Sequence, residues 1–454
     1  MEPTLQKKFG LGTAIAMVVG IVIGSGVFFK AEKILVATGG DLLLGIYAWL
    51  LGGMIMISCA ATFAVMATKY ERVNGIVDYA EAALGKTYGY YVGLFMALIY
   101  YPTLTSVLAW VSARYTAVLF GWDITGGACM TLSAMYLVGS YALNALSPVL
   151  AGRFQVSTTI IKLIPLALMA VVGTMYGLNT GMLAFNFENV VHEVDFWHGL
   201  FVAVVATSFA YEGWIIATSI NAELKNAKRN LPIALMLGTF IVMLVYILYY
   251  VGLAGTIASE TLMAGAQEGV RTAFSVIFSQ RAGTVLLVFI IISCLGTLNG
   301  LMLGCTRGVY SVAVRSSSST VTPMFRQIDP VTNMPVNSAV FGLLLCGIWL
   351  VFFYGANLTT PWFGFFCFDS SELPIVTLYA MYIPIFLMFM RNETTLSWGK
   401  RFVMPVLAIV GSVFMIYAAY FSHGSAVLAY LIVFAGMLAL GRMLLGPSGE
   451  LEGA

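Results

Sequence analysis

The chain has 454 residues, of which 60% are hydrophobic and only 9% are charged, and its mean hydropathy is +0.93. A soluble domain is roughly one-quarter charged residues, so this chain has too few polar side chains to cover a water-facing surface. Its net charge of +2 is not gathered into a basic patch, which argues against nucleic-acid binding. The composition indicates an integral membrane protein.

Twelve segments are long and apolar enough to cross a bilayer, which takes about 20 residues. The first, sixth and tenth are interrupted by glycine or charged residues, and the third and eighth are long enough to tilt. The sequence therefore predicts an all-α integral membrane protein with 12 transmembrane helices. The predicted spans one to twelve are 11–37, 42–68, 87–120, 126–146, 149–176, 196–222, 231–257, 283–314, 337–355, 361–390, 402–421 and 424–445.

The positions of lysine and arginine orient these spans. With the N-terminus in the cytoplasm, 16 of the 22 basic residues lie on the cytoplasmic side, five lie on the outer side and Lys162 lies inside span five. This is a clear positive-inside bias. We therefore predict a multi-pass protein of the cell (plasma) membrane with cytoplasmic N-terminal (1–10) and C-terminal (446–454) tails.

Two of the spans carry breaks at corresponding positions. GIVIGSGVF (20–28) interrupts span one, and SFAYEGWIIATS (208–219) interrupts span six. These spans open two five-span blocks, 11–176 and 196–390, and spans eleven and twelve (400–445) follow. Because each block has an odd number of spans, the two blocks have opposite topology. Such paired breaks are typical of secondary transporters with a substrate site near the bilayer midplane.

The break in span one exposes backbone groups of both polarities. Residues 24–26 leave helical dihedral angles at low cost, which frees N–H groups at the positive end of the next half-helix for a carboxylate. The carbonyls that end the preceding half-helix, at residues 21–23, suit an ammonium group. The alternative is a small-residue packing face at Gly20 and Gly24, which the motif alone favours.

Four segments resemble the amino acid–polyamine–organocation (APC) transporters. GIVIGSGVFFKAEKILVATGG resembles span one of that family, and IIKLIPLALMAVVG (160–173) resembles span five. FAYEGWIIATSINAELKNAKRNLPIA (209–234) resembles span six with the loop after it, and SCLGTLNGLMLGCTRGVYSVAVR (293–315) resembles span eight. The nearest branch is the L-type amino acid transporters, bacterial serine/threonine exchangers included. The last four spans match by count only.

The resemblance implies a LeuT-type fold, a 5+5 inverted repeat of ten helices plus two more, with the substrate held between spans one and six. N–H groups at the first break would bind the carboxylate, and carbonyls of both breaks would bind the amino group. Aromatic side chains beside the second break would line the substrate or the gate. Asn299 would complete the pocket or the network around it. The predicted substrate-binding residues are Ile21, Ile23, Gly24, Ser25, Gly26, Phe209, Ala210, Tyr211, Glu212, Trp214 and Asn299.

Lys162 is a charged residue near the middle of span five. A lysine there costs at least about 2.5 kcal/mol and needs a partner or a function. It lies too far from either end of the span to snorkel comfortably to the interface. In sodium-independent members of the family a lysine here substitutes for the cation. We therefore predict that Lys162 bonds to backbone oxygens of span one and that the transporter needs no Na⁺.

Three acids lie in apolar surroundings. Glu212 occupies the break in span six, where it contacts a cationic group, carries a proton or caps a half-helix. Asp369 and Glu372 are three residues apart and are expected to share a helix face in span ten. The sequence leaves three roles open for these two acids: pairing with basic residues, uptake of protons, or selection of cationic substrates.

The chain shows no enzyme motif, no metal-ligand cluster and no CxxC pair, so no catalytic residue, cofactor or metal is predicted. We predict a Na⁺-independent permease or exchanger that moves a small or medium neutral L-amino acid by alternating access. Proton-coupled symport and transport of cationic amino acids or amines are the alternatives, and a non-transporting amino acid sensor is a third.

The expected partners are the amino acid substrate and membrane lipids, without nucleic acid. A disulfide-linked partner subunit would need a cysteine on an outer loop. The best candidate, Cys129, lies just inside span four, so we predict no such subunit.

Overall fold

A computed structural model describes residues 10–24, 26–70, 75–216, 218, 224–316, 321–330, 334–358 and 360–446. Ser25 and most of both predicted tails lie outside the described residues. The described part is helical and contains no β-strand, which confirms the all-α class. The helices are α1 (Leu11–Val22), α2 (Gly26–Ala37), α3 (Leu42–Lys69), α4 (Ile76–Leu84), α5 (Lys86–Phe95), α6 (Tyr101–Phe120), α7 (Gly127–Leu146), α8 (Pro148–Leu168), α9 (Thr174–Thr180), α10 (Met182–Glu188), α11 (Phe196–Ala210), α12 (Ala227–Ala254), α13 (Ser259–Phe278), α14 (Gln280–Val314), α15 (Thr322–Phe325), α16 (Val336–Ala356), α17 (Leu373–Asn392), α18 (Met404–His423) and α19 (Ala426–Leu445).

Eleven helical segments in the described part are each long and apolar enough to cross a bilayer. The bent pair α1 and α2 adds a twelfth, so the number agrees with the twelve predicted spans. Short π-helical segments join α5 to α6 and α8 to α9, which makes spans three and five continuous. The ends of spans two, three, four, eight and nine lie within one residue of the predicted ends.

Span ten begins later than the sequence predicted. Its helix starts at Leu373, whereas the apolar run suggested a start at residue 361. Asp369 accepts a hydrogen bond from the backbone N–H of Ser371 at 2.8 Å, and such a local turn competes with helix formation. Asp369 and Glu372 therefore precede the helix, and the prediction that they share a helix face is wrong.

The chain divides into two compact units. The first unit (Met1–Leu84, Leu163–Gly283 and Val376–Ser422) contains spans one, two, six, seven and eleven and most of spans five and ten. The second unit (Gly85–Lys162, Thr284–Ile375 and His423–Ala454) contains spans three, four, eight, nine and twelve. Each unit therefore combines segments that are distant in the sequence.

Within the first unit, spans five and seven approach each other at backbone distance. A Cβ atom on Gly173 would lie 2.5 Å from the carbonyl oxygen of Gly252, and one on Gly177 would lie 2.5 Å from Cα of Gly255. Only glycine allows this approach. Small residues at such contacts are typical of membrane helices, which associate through close packing.

Within the second unit, side-chain to backbone hydrogen bonds join spans three and nine. The hydroxyl of Ser106 donates to the carbonyl of Cys346 at 2.7 Å, and the indole N–H of Trp349 donates to the carbonyl of Leu98 at 3.0 Å. All four residues are buried. Polar side chains in this apolar interior therefore satisfy backbone carbonyls across helices.

Candidate functional site

The break in span one lies where the glycine-rich motif predicted it. Helix α1 ends at Val22, and Ile23 takes an extended conformation (φ −66°, ψ 102°) that ends the helical path. Helix α2 begins at Gly26, and its direction differs from that of α1 by 51°. The Gly20 and Gly24 pair consequently does not lie on one continuous helix, so the motif makes a bend rather than only a packing face.

The break in span six also coincides with a glycine. Helix α11 ends at Ala210, a turn covers residues 211–213, and a short 3₁₀ segment follows at 214–216. Gly213 has a φ of +104°, a value that side-chain-bearing L-residues rarely adopt. The glycine in FAYEGW therefore permits the turn.

The two breaks touch each other inside the first unit. A Cβ atom on Gly26 would lie 2.5 Å from Cα of Ala210, and one on Gly213 would lie 3.4 Å from the carbonyl oxygen of Ile21. At both of these contacts, the backbone of one break thus lies against the backbone of the other. This brings together the predicted residues Ile21, Ile23, Gly24, Gly26, Phe209, Ala210 and Tyr211, while Ser25 lies outside the described residues.

Tyr246 of α12 joins the two breaks, and the sequence analysis did not predict this role. Its buried hydroxyl lies 3.1 Å from the carbonyl oxygen of Val22 and 3.1 Å from that of Ala210. A tyrosine hydroxyl has one proton, so it donates to one of these two carbonyls at a time and lies between the two helix ends. The only signal in the sequence is a polar hydroxyl in an apolar span.

The aromatic residues of the second break line the same region. Tyr211 is fully buried, and its hydroxyl donates to the carbonyl of Trp49 at 2.9 Å. Its ring stacks on Tyr246, with ring centroids 5.3 Å apart. Phe209 is 8% exposed and packs edge-on against Phe29 of α2 at 6.2 Å. The predicted lining residues are therefore held in fixed positions by neighbouring helices.

Trp214 lies in an aromatic cluster with side chains of spans two and ten. Its ring centroid is 5.7 Å from that of Phe63 and 6.0 Å from that of Tyr382. Phe63 also contacts Tyr79 of α4 at 5.5 Å. Burial raises the pKa of Tyr79 to about 12, so this hydroxyl stays neutral at pH 7. Trp214, Phe63, Tyr79 and Tyr382 are therefore packed together through ring contacts.

Glu212 is 9% exposed and lies in the turn of span six. Its carboxyl group is within electrostatic range of the Cys59 thiol of α3 and the Tyr379 hydroxyl of α17. The Cys59 sulfur lies 4.0 Å from the hydroxyl oxygen of Ser412 in α18. Span eleven thus contacts span two through Ser412 and Cys59.

Lys162 and Asn299 belong to the second unit. Lys162 is only 1% exposed, so its side chain is buried in protein as the sequence predicted. Its bond to span one stays a prediction. Asn299 of α14 accepts a hydrogen bond from the side chain of Asn144 at 2.8 Å and donates to the carbonyl of Ala151 at 3.1 Å. Asn299 therefore links spans four, five and eight, and its place in the pocket or the network around it stays a prediction.

Glu372 has a partner that the sequence analysis missed. Its Oε2 atom lies 3.1 Å from Nε2 of His423, at the end of α18. The glutamate side chain is 1% exposed and the histidine side chain is 13% exposed. Asp369, in contrast, bonds locally to the backbone and hydroxyl of Ser371. The two acids that the sequence grouped together therefore have different surroundings.

The site as a whole offers backbone amides and carbonyls, one buried carboxyl group and an aromatic wall. No group of three or more His, Cys, Asp or Glu side chains that could hold a metal ion occurs in the described part of the chain. Backbone N–H groups can bind an anion and backbone carbonyls can bind a cation.

Comparison with known proteins gives the family. A family model described as an amino acid permease matches residues 9–441. The serine/threonine exchanger SteT of Bacillus subtilis (strain 168) is 28% identical over 91% of this chain and 91% of its own. The b(0,+)-type amino acid transporter 1 of Mus musculus is 25% identical over 95% and 86%, and the aspartate-proton symporter of Bacillus subtilis (strain 168) is 24% identical over 93% and 80%. The chain belongs to the amino acid permease family of the APC superfamily, and it is a multi-pass membrane transporter rather than an enzyme.

Proposed function

We propose that this protein is a Na⁺-independent exchanger of small or medium neutral L-amino acids that works by alternating access. The observation that carries the proposal is the contact between the two helix breaks, which Tyr246 ties together. Free backbone polar groups at membrane depth occur where they line a site or are buried in protein. Two such breaks side by side provide both polarities needed for an amino acid head group.

In this proposal the substrate carboxylate binds the N–H groups of Ser25 and Gly26, at the positive end of α2. The amino group binds carbonyl oxygens of both breaks. The carbonyl of Ala210 lies within bonding distance of Tyr246, and a carbonyl oxygen has a second lone pair for an ammonium. The carbonyls assigned to the amino group are those of Ile21, Ile23, Phe209 and Ala210.

The aromatic wall supports a limit on substrate size. Phe209, Tyr211 and Trp214 are each less than 10% exposed and are held by ring contacts or hydrogen bonds. A rigid wall of this kind admits a short side chain more readily than a large one. The printed names of the serine/threonine exchanger and the b(0,+)-type transporter are in line with amino acid exchange.

The membership of the two compact units supports the 5+5 inverted repeat of a LeuT-type fold, with repeats at 11–176 and 196–390. Spans one and six lie in the same unit, as do spans two and seven, three and eight, and four and nine. Spans five and ten are the two that the division cuts. Each span of the first block therefore lies in the same unit as its counterpart in the second block, or is divided between the units as its counterpart is. A repeat requires this correspondence.

Sodium independence rests on Lys162. A lysine buried in span five places an ionisable amine inside the membrane, and intramembrane ionisable groups of this kind are functional by default. We assign it the place of a coupling cation, bonded to backbone oxygens of span one. No bound Na⁺ is then needed to hold that region.

Orientation and assembly complete the proposal. The positive-inside bias supports cytoplasmic N- and C-termini in the plasma membrane. Cys129 is fully buried in α7 against Ala113 and Ala117, which supports the absence of a disulfide-linked partner subunit.

A second candidate function is proton-coupled symport or transport of cationic substrates. Two observations favour it: the buried carboxyl group of Glu212 in the span-six turn, and the contact between Glu372 and His423. One relative is named as an aspartate-proton symporter. Asp369 is a weaker candidate for such a role because its carboxyl group bonds within its own turn.

The test is uptake of tritiated L-serine into proteoliposomes that contain the purified protein. The proposal expects uptake that rises when unlabelled L-serine is loaded inside and that is unchanged when choline replaces Na⁺. Uptake into empty vesicles that depends on an inward proton gradient would support the second candidate instead. Binding of L-serine without any flux would contradict both and would support a sensor.

A further inference from the structure

We propose that an anionic phospholipid binds at the C-terminal end of span twelve, with its phosphate at Arg442 and part of one acyl chain in an apolar cavity. The cavity has a volume of about 40 Å³ and lies wholly within the second unit. Apolar residues of spans three, eight, nine and twelve and of α15 line it. The two helix breaks belong to the first unit, so this inference does not depend on the substrate site.

The cavity opens toward the lipid-facing side of span twelve. Leu440 and Leu444 line it, and they are 51% and 38% exposed. Only 17% of the most apolar stretch of α19 is buried in the protein, so the rest of this stretch meets the bilayer. A space of this size admits about three groups as large as water or methylene. Because apolar walls offer water no hydrogen-bond partner, hydrocarbon from the bilayer fills such a space better than water does.

Arg442 lies beside the mouth of this cavity. It is exposed and stands midway in sequence between the lining residues Leu440 and Leu444. Its Nη1 atom donates to the hydroxyl of Tyr91 on α5 at 2.9 Å. A positive charge next to an apolar space is the pattern of a site for an amphiphile with an anionic head group.

Spans three and twelve form one groove that contains both the charge and the cavity. A Cβ atom on Gly441 would lie 2.6 Å from Cδ1 of Leu98 and 2.9 Å from Cδ2 of Leu94, so the two spans touch there. Tyr91 precedes Leu98 by seven residues, or about two helical turns, so these two residues lie on one face of span three. Leu98 lines the cavity. The contact between Arg442 and Tyr91 is therefore at one end of the groove, and the cavity lies further along it.

The groups at this polar end suit a phosphate. A guanidinium has five N–H donors in a planar fork that matches phosphate oxygens, and the contact with Tyr91 uses one of them. The Tyr91 hydroxyl accepts that bond and keeps its own proton for a bond to the same anion. Basic sites between membrane helices on the cytoplasmic side bind anionic head groups. The predicted orientation places this end of α19 on that side.

The spacing along α19 fits a phospholipid rather than a free anion. Met437, which lines the cavity, is five residues before Arg442, which is a rise of about 7.5 Å. In a phospholipid the acyl chains begin a few bonds from the phosphate, so one molecule spans both parts of the groove. Inorganic phosphate would leave the cavity unfilled, and a lipid without net charge would leave the positive charge of the arginine uncompensated.

The experiment is native mass spectrometry of the intact protein in detergent, titrated with phosphatidylglycerol or with phosphatidylcholine that has the same acyl chains. The variants are Arg442→Gln, Arg442→Lys and Leu440→Trp. The matched control is Arg391→Gln, which removes an exposed arginine from the last turn of α17. We expect the unmodified protein and the control to bind the first phosphatidylglycerol at least about tenfold more tightly than phosphatidylcholine, as a charged hydrogen-bonded partner implies.

For Arg442→Gln we expect this preference to fall below about twofold, because the charge that distinguishes the two head groups is gone. Arg442→Lys keeps the charge without the planar fork and should retain part of the preference. Leu440→Trp should weaken binding of both lipids by at least about fivefold, because the indole takes the place of the acyl chain at the mouth of the cavity. Leu440 is half exposed, so the larger side chain has room.

Three results would overturn the inference. The first is equal affinity of the unmodified protein for the two lipids, and the second is an equal loss of preference in Arg442→Gln and Arg391→Gln. The third is unchanged lipid binding in Leu440→Trp, which would show that the acyl chain does not use the cavity.

Discussion

The hydroxyl of Tyr246 lies within hydrogen-bond distance of both helix breaks, so its removal is a sharp perturbation of the site. Tyr246→Phe deletes one oxygen and keeps the ring, which stacks on Tyr211 and packs edge-on against Trp49. The carbonyls of Val22 and Ala210 then lose their shared partner. The ring contacts with Tyr211 and Trp49 are kept.

The expected magnitude follows from the bonds lost. The hydroxyl has one proton, so it makes one donated bond at a time. Each such bond contributes about 0.5–1.5 kcal/mol, and a buried group left unsatisfied costs about 1–3 kcal/mol. We take about 2 kcal/mol for the loss of this hydroxyl, which is about a 30-fold change in an equilibrium constant. The half-saturation constant for L-serine should rise by about 10- to 30-fold.

Tyr249→Phe is the matched control for this prediction. Tyr249 lies on the same helix and is fully buried, but its hydroxyl has no hydrogen-bond partner among the described residues. Its edge-on contact with Phe28 survives the substitution. We expect a change of less than about threefold in the half-saturation constant. Equal effects of the two substitutions, or normal kinetics of Tyr246→Phe in a protein that elutes as a single species, would refute the reasoning.

The other predictions test the remaining parts of the site. Gly26→Ala should abolish uptake because its Cβ would lie 2.5 Å from Cα of Ala210. Gly12→Ala is the control, since its Cβ would meet nothing within 4 Å, and it should keep uptake near normal. Similar uptake by the two variants would contradict the contact between Gly26 and Ala210. Gly213→Ala should reduce uptake by at least about tenfold because φ is +104° in the span-six turn, and normal uptake would show that the turn is not required. Lys162→Met should lose uptake in both Na⁺ and choline media, while the unmodified protein should transport equally in the two; strong Na⁺ dependence would contradict the role given to Lys162.

Features fixed by local chemistry could be predicted from the sequence. Spans are set by long apolar runs, and the breaks are set by glycine and serine, whose backbone preferences are local. The burial of Lys162 followed from its central position in a span. The late start of span ten could not be predicted, because residues 361–368 are apolar in composition and only the local bonds of Asp369 show that the helix begins afterwards.

Features that depend on tertiary contacts could not be predicted from the sequence. Tyr246 bonds to carbonyls 224 and 36 residues away, and neither separation leaves a pattern in the chain. The pairing of Glu372 with His423 spans 51 residues and joins the ends of two helices. Lys30 carries a charge near an outer loop, and only packing of α2 against span six shows that it is buried.

The central claim is that an amino acid head group occupies the two breaks. A cryo-electron microscopy structure of the protein with saturating L-serine in lipid nanodiscs tests this claim most directly. The account predicts density for the carboxylate at the N–H groups of Ser25 and Gly26 and for the amino group at the carbonyls of Phe209 and Ala210. Ordered L-serine density elsewhere in the protein, with no density between the two breaks, would contradict it.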